Sequence, residues 1–352
     1  MKLYSNEDYR NTLDQMARMR LDWELLRNST VMVSGATGLI GSFLIDVLMY
    51  RNRETDFNCH VIALGRSAEK AKKRFVPYWE DRLFSFREGD IVENTFGQMP
   101  SVDYIFHLAS NTHPVAYATD PIGTITANII GTRNLLEFGA EHGVKRVVFA
   151  SSVEVYGENR GDRDYFTEEY CGYIDCNTLR AGYPESKRAG EALCQAYIRQ
   201  KGMDIVIPRL SRTYGPTMLM TDSKALSQFI RKGLAGEDIV LKSEGTQFFS
   251  YSYVADAVSG LLYCLCYGVC GEAYNIADEA SDITLRELAG LIAEIAGRKV
   301  VFELPDAVER AGYSKATKAV QCADKLKSLG WKPQWDIRSG IRDTLRILRD
   351  IQ

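Results

Sequence analysis

A tyrosine and a lysine four residues apart, Tyr183 and Lys187, form a pair that can do acid–base chemistry. If the segment 183–197 is helical, both side chains lie on one face of the helix, one turn apart. A lysine ammonium beside a phenol lowers the pKa of the phenol, so that phenolate becomes available near neutral pH. Ser152 follows a predicted strand and would hydrogen-bond the same substrate hydroxyl. The three residues predict removal of a hydroxyl proton while a hydride leaves the same carbon.

A glycine-rich turn follows one apolar run and precedes an apolar helix; its sequence is Ser34-Gly35-Ala36-Thr37-Gly38-Leu39-Ile40-Gly41. Glycines at this spacing allow a tight bend and a close approach of the backbone to a pyrophosphate. The helix N-terminus adds free N–H groups and a partial positive charge. The turn predicts a dinucleotide site, with an ordinary strand–helix turn as the alternative. The predicted contacts are Gly35, Thr37, Gly38, Leu39, Ile40 and Gly41.

The residues after the second predicted strand select between the two nicotinamide cofactors. An acid there would bind the ribose hydroxyls of NAD, but no acid follows Leu64 before Glu69. Because an arginine can pair with a 2′-phosphate, Arg66 and its neighbour Ser67 favour NADP over NAD. The alternative is that Arg66 stacks on adenine or faces solvent. After the third strand, the predicted adenine contacts are Asp90 and Ile91.

Apolar strands alternate with helices in the part of the chain that would carry these residues. The predicted strands are 30–34, 60–64, 83–87, 104–108, 147–150 and 205–210. The predicted helices are 39–49, 67–74, 119–141 and 183–197. Such alternation indicates an α/β fold with a doubly wound parallel sheet covered on both faces. Sheets of this kind hold ligands at the carboxyl ends of their strands, where the glycine turn and Ser152 lie.

The same patterns divide the chain into three parts. Residues 1–28 read as a helical extension that packs on the fold or contacts another subunit. Residues 29–210 read mainly as the dinucleotide-binding domain, and residues 211–352 mainly as a smaller substrate-binding lobe. The chain is expected to cross between these two lobes.

Composition excludes several other classes of function. Lys plus Arg is 43 and Asp plus Glu is 46, and this net charge of −3 argues against a nucleic-acid binder with a basic face. No window approaches about 18 uninterrupted apolar residues, so no membrane span is predicted. The acidic, polar N-terminus differs from a signal peptide, which predicts a cytoplasmic protein. Eight cysteines and four histidines show neither a disulfide framework nor metal-ligand spacing, so no metal is predicted.

Three motifs occur in a fixed order: the glycine turn, Ser-Ser-x-x-x-Tyr-Gly at 151–157, and Tyr-x-x-x-Lys at 183–187. Together they resemble the extended short-chain dehydrogenase/reductase family over residues 29–345. The resemblance implies a Rossmann-type fold, bound NAD(P) and a nucleoside-diphosphate sugar as substrate, and we also expect a homodimer. The further cofactor contacts that it implies are Leu108, Ala109, Ser110 and Asn128.

The resemblance also implies substrate-binding residues, some of which depart from the family pattern. Glu154 falls where decarboxylases and 4,6-dehydratases carry a glutamate, and would be a base for C5 or else a structural carboxylate. Val153 replaces the aspartic acid of the dehydratases, which disfavours loss of water. Phe249 replaces an arginine that contacts the substrate, and Arg212 replaces an asparagine. We hypothesise that Arg212 restores the lost positive charge; the alternative is that it pairs with a nearby acid.

The function that these residues favour is modification of a nucleoside-diphosphate sugar through a 4-keto intermediate, as an epimerase. Tyr183 would take the 4-hydroxyl proton, Lys187 would support the phenolate, and Ser152 would stabilise the ketone oxygen. A UDP-glucuronate-type decarboxylase, which the segments 179–188 and 214–222 resemble, is one alternative, and an NADP-dependent 4-keto-sugar reductase is another. A non-catalytic NADP-binding sensor module is the alternative of a different class.

Overall fold

A computed structural model describes residues 2–95, 99–112, 114–303 and 317–352. Its strands are β1 Thr30–Ser34, β2 His60–Gly65, β3 Phe84–Glu88, β4 Tyr104–His107, β5 Arg146–Phe149, β6 Ser151–Ser152, β7 Ile205–Leu210, β8 Arg212–Tyr214, β9 Ile239–Leu241, β10 Phe248–Tyr253, β11 Ala273–Ile276, β12 Asp282–Thr284, β13 Val300–Phe302 and β14 Lys318–Ala319. Its α-helices are α1 Lys2–Ser5, α2 Glu7–Ala17, α3 Leu39–Glu54, α4 Ala68–Arg74, α5 Pro114–Thr119, α6 Pro121–Glu141, α7 Gly182–Lys201, α8 Ala225–Ala235, α9 Val254–Tyr267, α10 Leu285–Ala296, α11 Asp324–Lys327 and α12 Ile337–Asp350.

The central layer is a parallel sheet in the order β11-β7-β5-β4-β1-β2-β3. The short strand β6, which follows β5 in the chain, also pairs in parallel with β7. Strand β1 is flanked by β2 and β4, so the strands that follow in the chain add first on one side of β1 and then on the other, and β1 carries the glycine turn at this switch point. Its central strands are apolar and buried on both faces, as expected for a sheet covered by helices on each side. The predicted α/β fold is confirmed.

The sheet places the carboxyl ends of β1, β4 and β5 next to one another. The segments that follow these strands are the glycine turn, residues 108–110 and Ser151–Ser152. This edge is the one at which open α/β sheets bind ligands. The first strand and β7 have the bounds that the sequence predicts, because each is a short apolar run with polar or glycine residues at its ends.

The long helix predicted at 119–141 is α6, which is continuous and begins two residues later, at Pro121. Proline lacks an N–H and is suited to the first turn of a helix, so it marks the start here. The carboxylate of Asp120 caps this start by accepting a hydrogen bond from the Gly123 amide at 3.0 Å. The short helix α5 precedes the predicted range, and its residues include Tyr117, which lines the cleft.

A smaller sheet surrounds strand β10. It pairs in parallel with β8 and β14 and antiparallel with β12. Strands β9 and β13, which are far apart in the sequence, form a separate parallel pair. The chain then returns to the large sheet, because β11 pairs in parallel with β7 and becomes its edge strand.

The N-terminal extension packs against the large sheet's helices. Tyr9 of α2 is fully buried, and its hydroxyl donates a hydrogen bond to Asp46 of α3. Arg74 of α4 binds the same carboxylate, with Nη1 3.2 Å from Oδ1. In addition, Tyr263 of α9 donates a hydrogen bond to the Arg20 carbonyl at 2.7 Å. The extension is therefore part of the packed core. Within the described residues, no helix has the length and apolar character needed to cross a membrane.

Candidate active site

A single cleft of about 1630 Å³ runs along the carboxyl edge of the large sheet and under the smaller one. The glycine turn forms one end of it. Gly35 has φ of +71°, and a Cβ there would lie 2.8 Å from the backbone of Leu108 and Ala109. A Cβ on Gly41 would lie 2.5 Å from the Gly35 carbonyl oxygen. Only glycine fits both positions, which brings the backbone close to whatever occupies the cleft.

The N-terminus of α3 opens into this end of the cleft. Its N-cap is Gly38, which has no side chain to cap the first-turn amides of Leu39, Ile40 and Gly41. These three residues line the cleft together with Gly35, Thr37 and Gly38. Free amides and the helix dipole favour an anionic group such as a pyrophosphate. The backbone shape and the donor set fit a dinucleotide cofactor.

Tyr183 and Lys187 lie at the other end of the cleft, on the first two turns of α7. Both are buried, and both line the cleft with Ser152 and Glu154. The ring of Tyr183 stacks on that of Tyr117 from α5, with 5.0 Å between the ring centroids. Lys187 Nζ donates a hydrogen bond to the Ala150 carbonyl at 2.8 Å, which ties α7 to the end of β5.

The expected lowering of the Tyr183 pKa by Lys187 is wrong for this structure. Burial raises the pKa of Tyr183 to about 12, and hydrogen bonding with Ser152 and Ser110 only partly opposes this effect. Lys187 directs its ammonium group to the Ala150 carbonyl, and burial lowers its own pKa to about 8. The phenol therefore holds its proton at neutral pH, and it can accept a substrate proton only in the fraction of molecules in which it is the phenolate, the form that the hydrogen bonds from Ser152 and Ser110 favour.

Lys187 gives the free energy of unfolding a definite pH dependence. Its pKa is about 8 when folded and about 10.5 when unfolded, so between these values the unfolded chain binds more protons. Stability then rises with pH across that window, by about 3 kcal/mol in total. In urea denaturation from pH 8 to 10.5, we expect the free energy of unfolding of wild type to rise by this amount relative to that of Lys187→Met. The half-exposed Lys201 supplies the control, since Lys201→Met should show no such trend. A constant difference between wild type and Lys187→Met would contradict the prediction.

Glu154 lies between two arginines beside Tyr183. Arg180 Nη2 is 2.9 Å from Glu154 Oε2, and Arg212 Nη2 is 4.0 Å from Oε1. The guanidinium carbon of Arg212 lies 3.5 Å from the centroid of the Phe249 ring. Arg212 thus approaches an acid, as the alternative hypothesis held, but it is also a cation facing the cleft. Val153, the remaining predicted substrate contact, is buried at the cleft wall.

Two predicted cofactor contacts do not line the cleft. Ser67 caps α4, where its hydroxyl accepts a hydrogen bond from the Lys70 amide at 3.3 Å. Asn128 is buried behind the wall, where its amide links the hydroxyls of Ser110 and Ser186 at 2.7 and 2.9 Å. Ser186 in turn donates to the Tyr183 carbonyl at 2.9 Å. Asn128 therefore connects the cofactor end of the cleft to the helix that carries Tyr183.

The other predicted cofactor contacts all line the cleft: Arg66, Asp90, Ile91, Leu108, Ala109 and Ser110. A sequence model of the NAD-dependent epimerase/dehydratase family matches residues 31–277, which contain both ends of the cleft. The chain belongs to this family. It is accordingly an enzyme of the group of nucleotide-sugar epimerases, dehydratases and decarboxylases.

Relatives in this family share most of the chain. It is 32% identical to UDP-glucuronic acid decarboxylase 6 of Arabidopsis thaliana over 314 residues. The match covers 89% of this chain and 87% of that protein. It is 31% identical to UDP-glucuronic acid decarboxylase 1 of Xenopus tropicalis, over 91% of this chain and 72% of that protein. The structure of dTDP-glucose 4,6-dehydratase DesIV of Streptomyces venezuelae, solved with NAD bound, superimposes with a TM-score of 0.78. The two are 26% identical, over 91% of this chain and 97% of that one.

Two cleft residues beside Tyr183 were not predicted from the sequence. Arg180 stands three residues before Tyr183, in the segment 179–188 that resembles the decarboxylases, and its ion pair with Glu154 leaves no pattern in the local sequence. Tyr117 stacks on Tyr183 and lies under the Arg180 guanidinium, whose carbon is 4.8 Å from the ring centroid. Tyr117 belongs to α5, a short helix that precedes the predicted helix 119–141 and that the sequence patterns did not indicate.

Proposed function

We propose that the chain oxidises the C4 hydroxyl of a nucleoside-diphosphate hexuronate and that the resulting 4-keto acid loses CO₂. The observation that carries the proposal is the buried Tyr183 with Ser152 beside it and Lys187 one turn away, all lining one cleft with the dinucleotide cradle. The named relatives are UDP-glucuronic acid decarboxylases, which supports the uronate as the substrate class.

The chain's own residues account for the proton transfers. Bound NAD or NADP would supply the hydride acceptor at C4. Tyr183, in its phenolate form, takes the 4-hydroxyl proton, and Ser152 donates a hydrogen bond to the oxygen as it becomes a ketone. The ketone is then β to the C6 carboxylate. The C5–C6 bond breaks, its electron pair moves toward the C4 oxygen, and the hydroxyls of Ser152 and Tyr183 stabilise the charge there. A proton that originates in solvent then adds at C5, the hydride taken at the start would return to C4, and Tyr183 gives back the 4-hydroxyl proton.

Loss of water is disfavoured by the side chain at position 153. Val153 is buried beside Ser152 and carries no acid or base. A 4,6-elimination needs a proton donor for the leaving hydroxyl. A decarboxylation needs no such donor, because CO₂ leaves without one.

Epimerisation is the second candidate, and Glu154 favours it. Its Oε2 is held by Arg180, whereas Oε1 has its nearest cation at 4.0 Å. A carboxylate oxygen placed in this way near the reacting end could remove the C5 proton of a 4-keto sugar. Addition of a solvent-derived proton to the opposite face of C5, followed by return of the hydride to C4, would give a C5 epimer, and the carboxylate of the sugar would remain.

Product analysis separates these reactions. The purified enzyme is incubated with UDP-glucuronate labelled with ¹³C at C6, and with a panel of UDP-, CDP-, dTDP- and GDP-sugars. Decarboxylation predicts ¹³CO₂ and a nucleotide pentose that carries deuterium at C5 when the reaction runs in D₂O. A product that keeps the ¹³C label and changes configuration identifies an epimerase. Retention of the label with no change in the sugar would contradict both proposals.

The cofactor preference is a separate proposal, in favour of NADP. Arg66 is exposed, and it lines the cleft together with Lys70 and Lys73 of the following helix. This positive edge suits a 2′-phosphate, and a preference for NADP would also suit a 4-keto-sugar reductase that releases its cofactor.

We predict that Arg66→Gln weakens NADP binding by about tenfold and leaves NAD binding unchanged, since a charge-assisted hydrogen bond to the 2′-phosphate is lost. Calorimetric titration of each cofactor measures this. Lys72→Gln on the following helix, α4, is the control, because Lys72 is exposed and lies outside the cleft. Equal losses for NAD and NADP would show that Arg66 does not read the 2′-position.

A further inference from the structure

The reacting end of the cleft carries more positive than negative charge. Arg180 and Arg212 both face Glu154, at 2.9 and 4.0 Å, so these three groups leave one net positive charge. These three charged groups lie close to the phenol of Tyr183, because the ring of Tyr117 stacks on Tyr183 and also lies under the Arg180 guanidinium. A single added anion would bring the set to neutrality.

Each of the two guanidinium groups also has an unsatisfied nitrogen. The Nη1 atoms of Arg180 and Arg212 are shielded from solvent, and no residue in the described ranges accepts a hydrogen bond from either. A buried donor without an acceptor is costly, so both nitrogens favour a ligand that accepts hydrogen bonds. Both arginines line the cleft through their other atoms, and rotation of a guanidinium group would turn its Nη1 toward an anion that binds there.

The ring of Phe249 fixes how Arg212 can bind an anion. The Arg212 guanidinium lies over this ring at 3.5 Å, in a cation–π contact. Because the N–H bonds of a guanidinium lie in its plane, a ring against one face leaves the N–H edges free. Two neighbouring N–H groups on one such edge match the two oxygens of a carboxylate. The parallel pairing of β8 with β10 places Arg212 opposite Tyr251 and holds it above Phe249.

We infer that Arg212 binds the C6 carboxylate of the sugar, with Arg180 beside it, and so selects a hexuronate over a neutral hexose. This inference rests on the proposed function. The diphosphate is the other oxyanion of a nucleotide sugar, but it is attached at C1, across the ring from the C4 hydroxyl that Tyr183 contacts. C6 is bonded to C5, the neighbour of C4, so its carboxylate falls at the end of the cleft where Glu154 and Arg212 meet.

The electrostatics agree with this assignment. Burial lowers the pKa of Arg212, and the charge of Arg180 acts in the same direction. Glu154 opposes both effects. A substrate carboxylate would add a second anion to the two cations and stabilise the charged form of Arg212. A neutral 6-hydroxymethyl group would leave the excess charge in place.

The test is substrate binding in a chain that cannot turn over. In the Tyr183→Phe background, calorimetry compares UDP-glucuronate with UDP-glucose, which share the nucleotide and the diphosphate. Adding Arg212→Gln is expected to weaken UDP-glucuronate by about 10- to 100-fold and to leave UDP-glucose unchanged. Arg212→Lys keeps the charge without the paired N–H groups and should give an intermediate loss of affinity for UDP-glucuronate. The control is Arg338→Gln, which removes the same charge from an exposed pair with Glu294.

Two results would overturn the inference: equal weakening of both sugars, which would assign Arg212 to the diphosphate, or no weakening of UDP-glucuronate. If Arg212→Gln does not fold, the substrate ratio is read from Arg212→Lys and from Phe249→Leu, which removes only the ring under the guanidinium. Failure of the proposed function has a different signature. Wild-type enzyme would then release no CO₂ from UDP-glucuronate, whatever the Arg212 variants bind.

Discussion

Phenylalanine at position 183 is expected to reduce kcat by about 10³-fold, while the nucleotide sugar still binds, because the group that takes the 4-hydroxyl proton is lost. Tyr183 is only 6% exposed, so bulk water reaches its position poorly and cannot replace the phenol. The measurement is the rate of cofactor reduction on mixing enzyme with UDP-glucuronate. Titration of the same substrate into Tyr183→Phe measures the retained affinity.

Tyr165→Phe provides the matched control for this prediction, since it removes a phenol hydroxyl from an exposed tyrosine. It should leave kcat unchanged. Cofactor reduction by Tyr183→Phe at near the wild-type rate would refute the role of the phenol. Loss of binding together with loss of reduction would instead identify Tyr183 as a residue that holds the substrate.

The second large effect concerns stability and the N-terminal extension. Asp46→Asn is expected to lower the free energy of unfolding by about 3 to 5 kcal/mol, because Arg74 would keep its charge without its partner. Asp46 is 1% exposed, and it also accepts a hydrogen bond from Tyr9 of the extension. Urea denaturation of wild type and variant measures the change.

A double variant distinguishes loss of the ion pair from general damage. Asp46→Asn combined with Arg74→Met removes both charges, and it should be more stable than Asp46→Asn alone. Glu294→Gln breaks an exposed pair with Arg338 and should leave the denaturation midpoint unchanged. If the double variant is no more stable than the single one, the unpaired charge of Arg74 is not the cause of the loss.

Much of the fold was readable from local patterns. The apolar runs that became β1 and β7 are short and bounded by polar or glycine residues, so their period and ends specify strands directly. Their alternation with helices predicted a parallel sheet, and the order of the strands placed the glycine turn and Ser152 at the same edge. The long helix α6 was predicted to within two residues at its start, whereas the short α5 before it was not predicted.

The site was less predictable, because its chemistry depends on neighbours that are distant in sequence. Sequence spacing put Tyr183 and Lys187 on one face of a helix, but it did not show that Lys187 turns to the Ala150 carbonyl. Burial then dominates the pKa of both groups, in opposite directions. Likewise, the pairing of Arg180 with Glu154 joins residues from two separate 3₁₀ helices, and no pattern in either segment signals it.

The return of the chain to the large sheet limits how this protein can be cut or recombined. Strand β11 completes the sheet beyond β7, and α9 packs against the same strands, yet both come from residues after 250. A chimera joined after residue 210, made to exchange the substrate-binding half for that of a relative, would also replace an edge strand and a covering helix of the cofactor-binding layer. Substitution of single cleft residues leaves this layer intact, whereas exchange of a contiguous C-terminal segment does not.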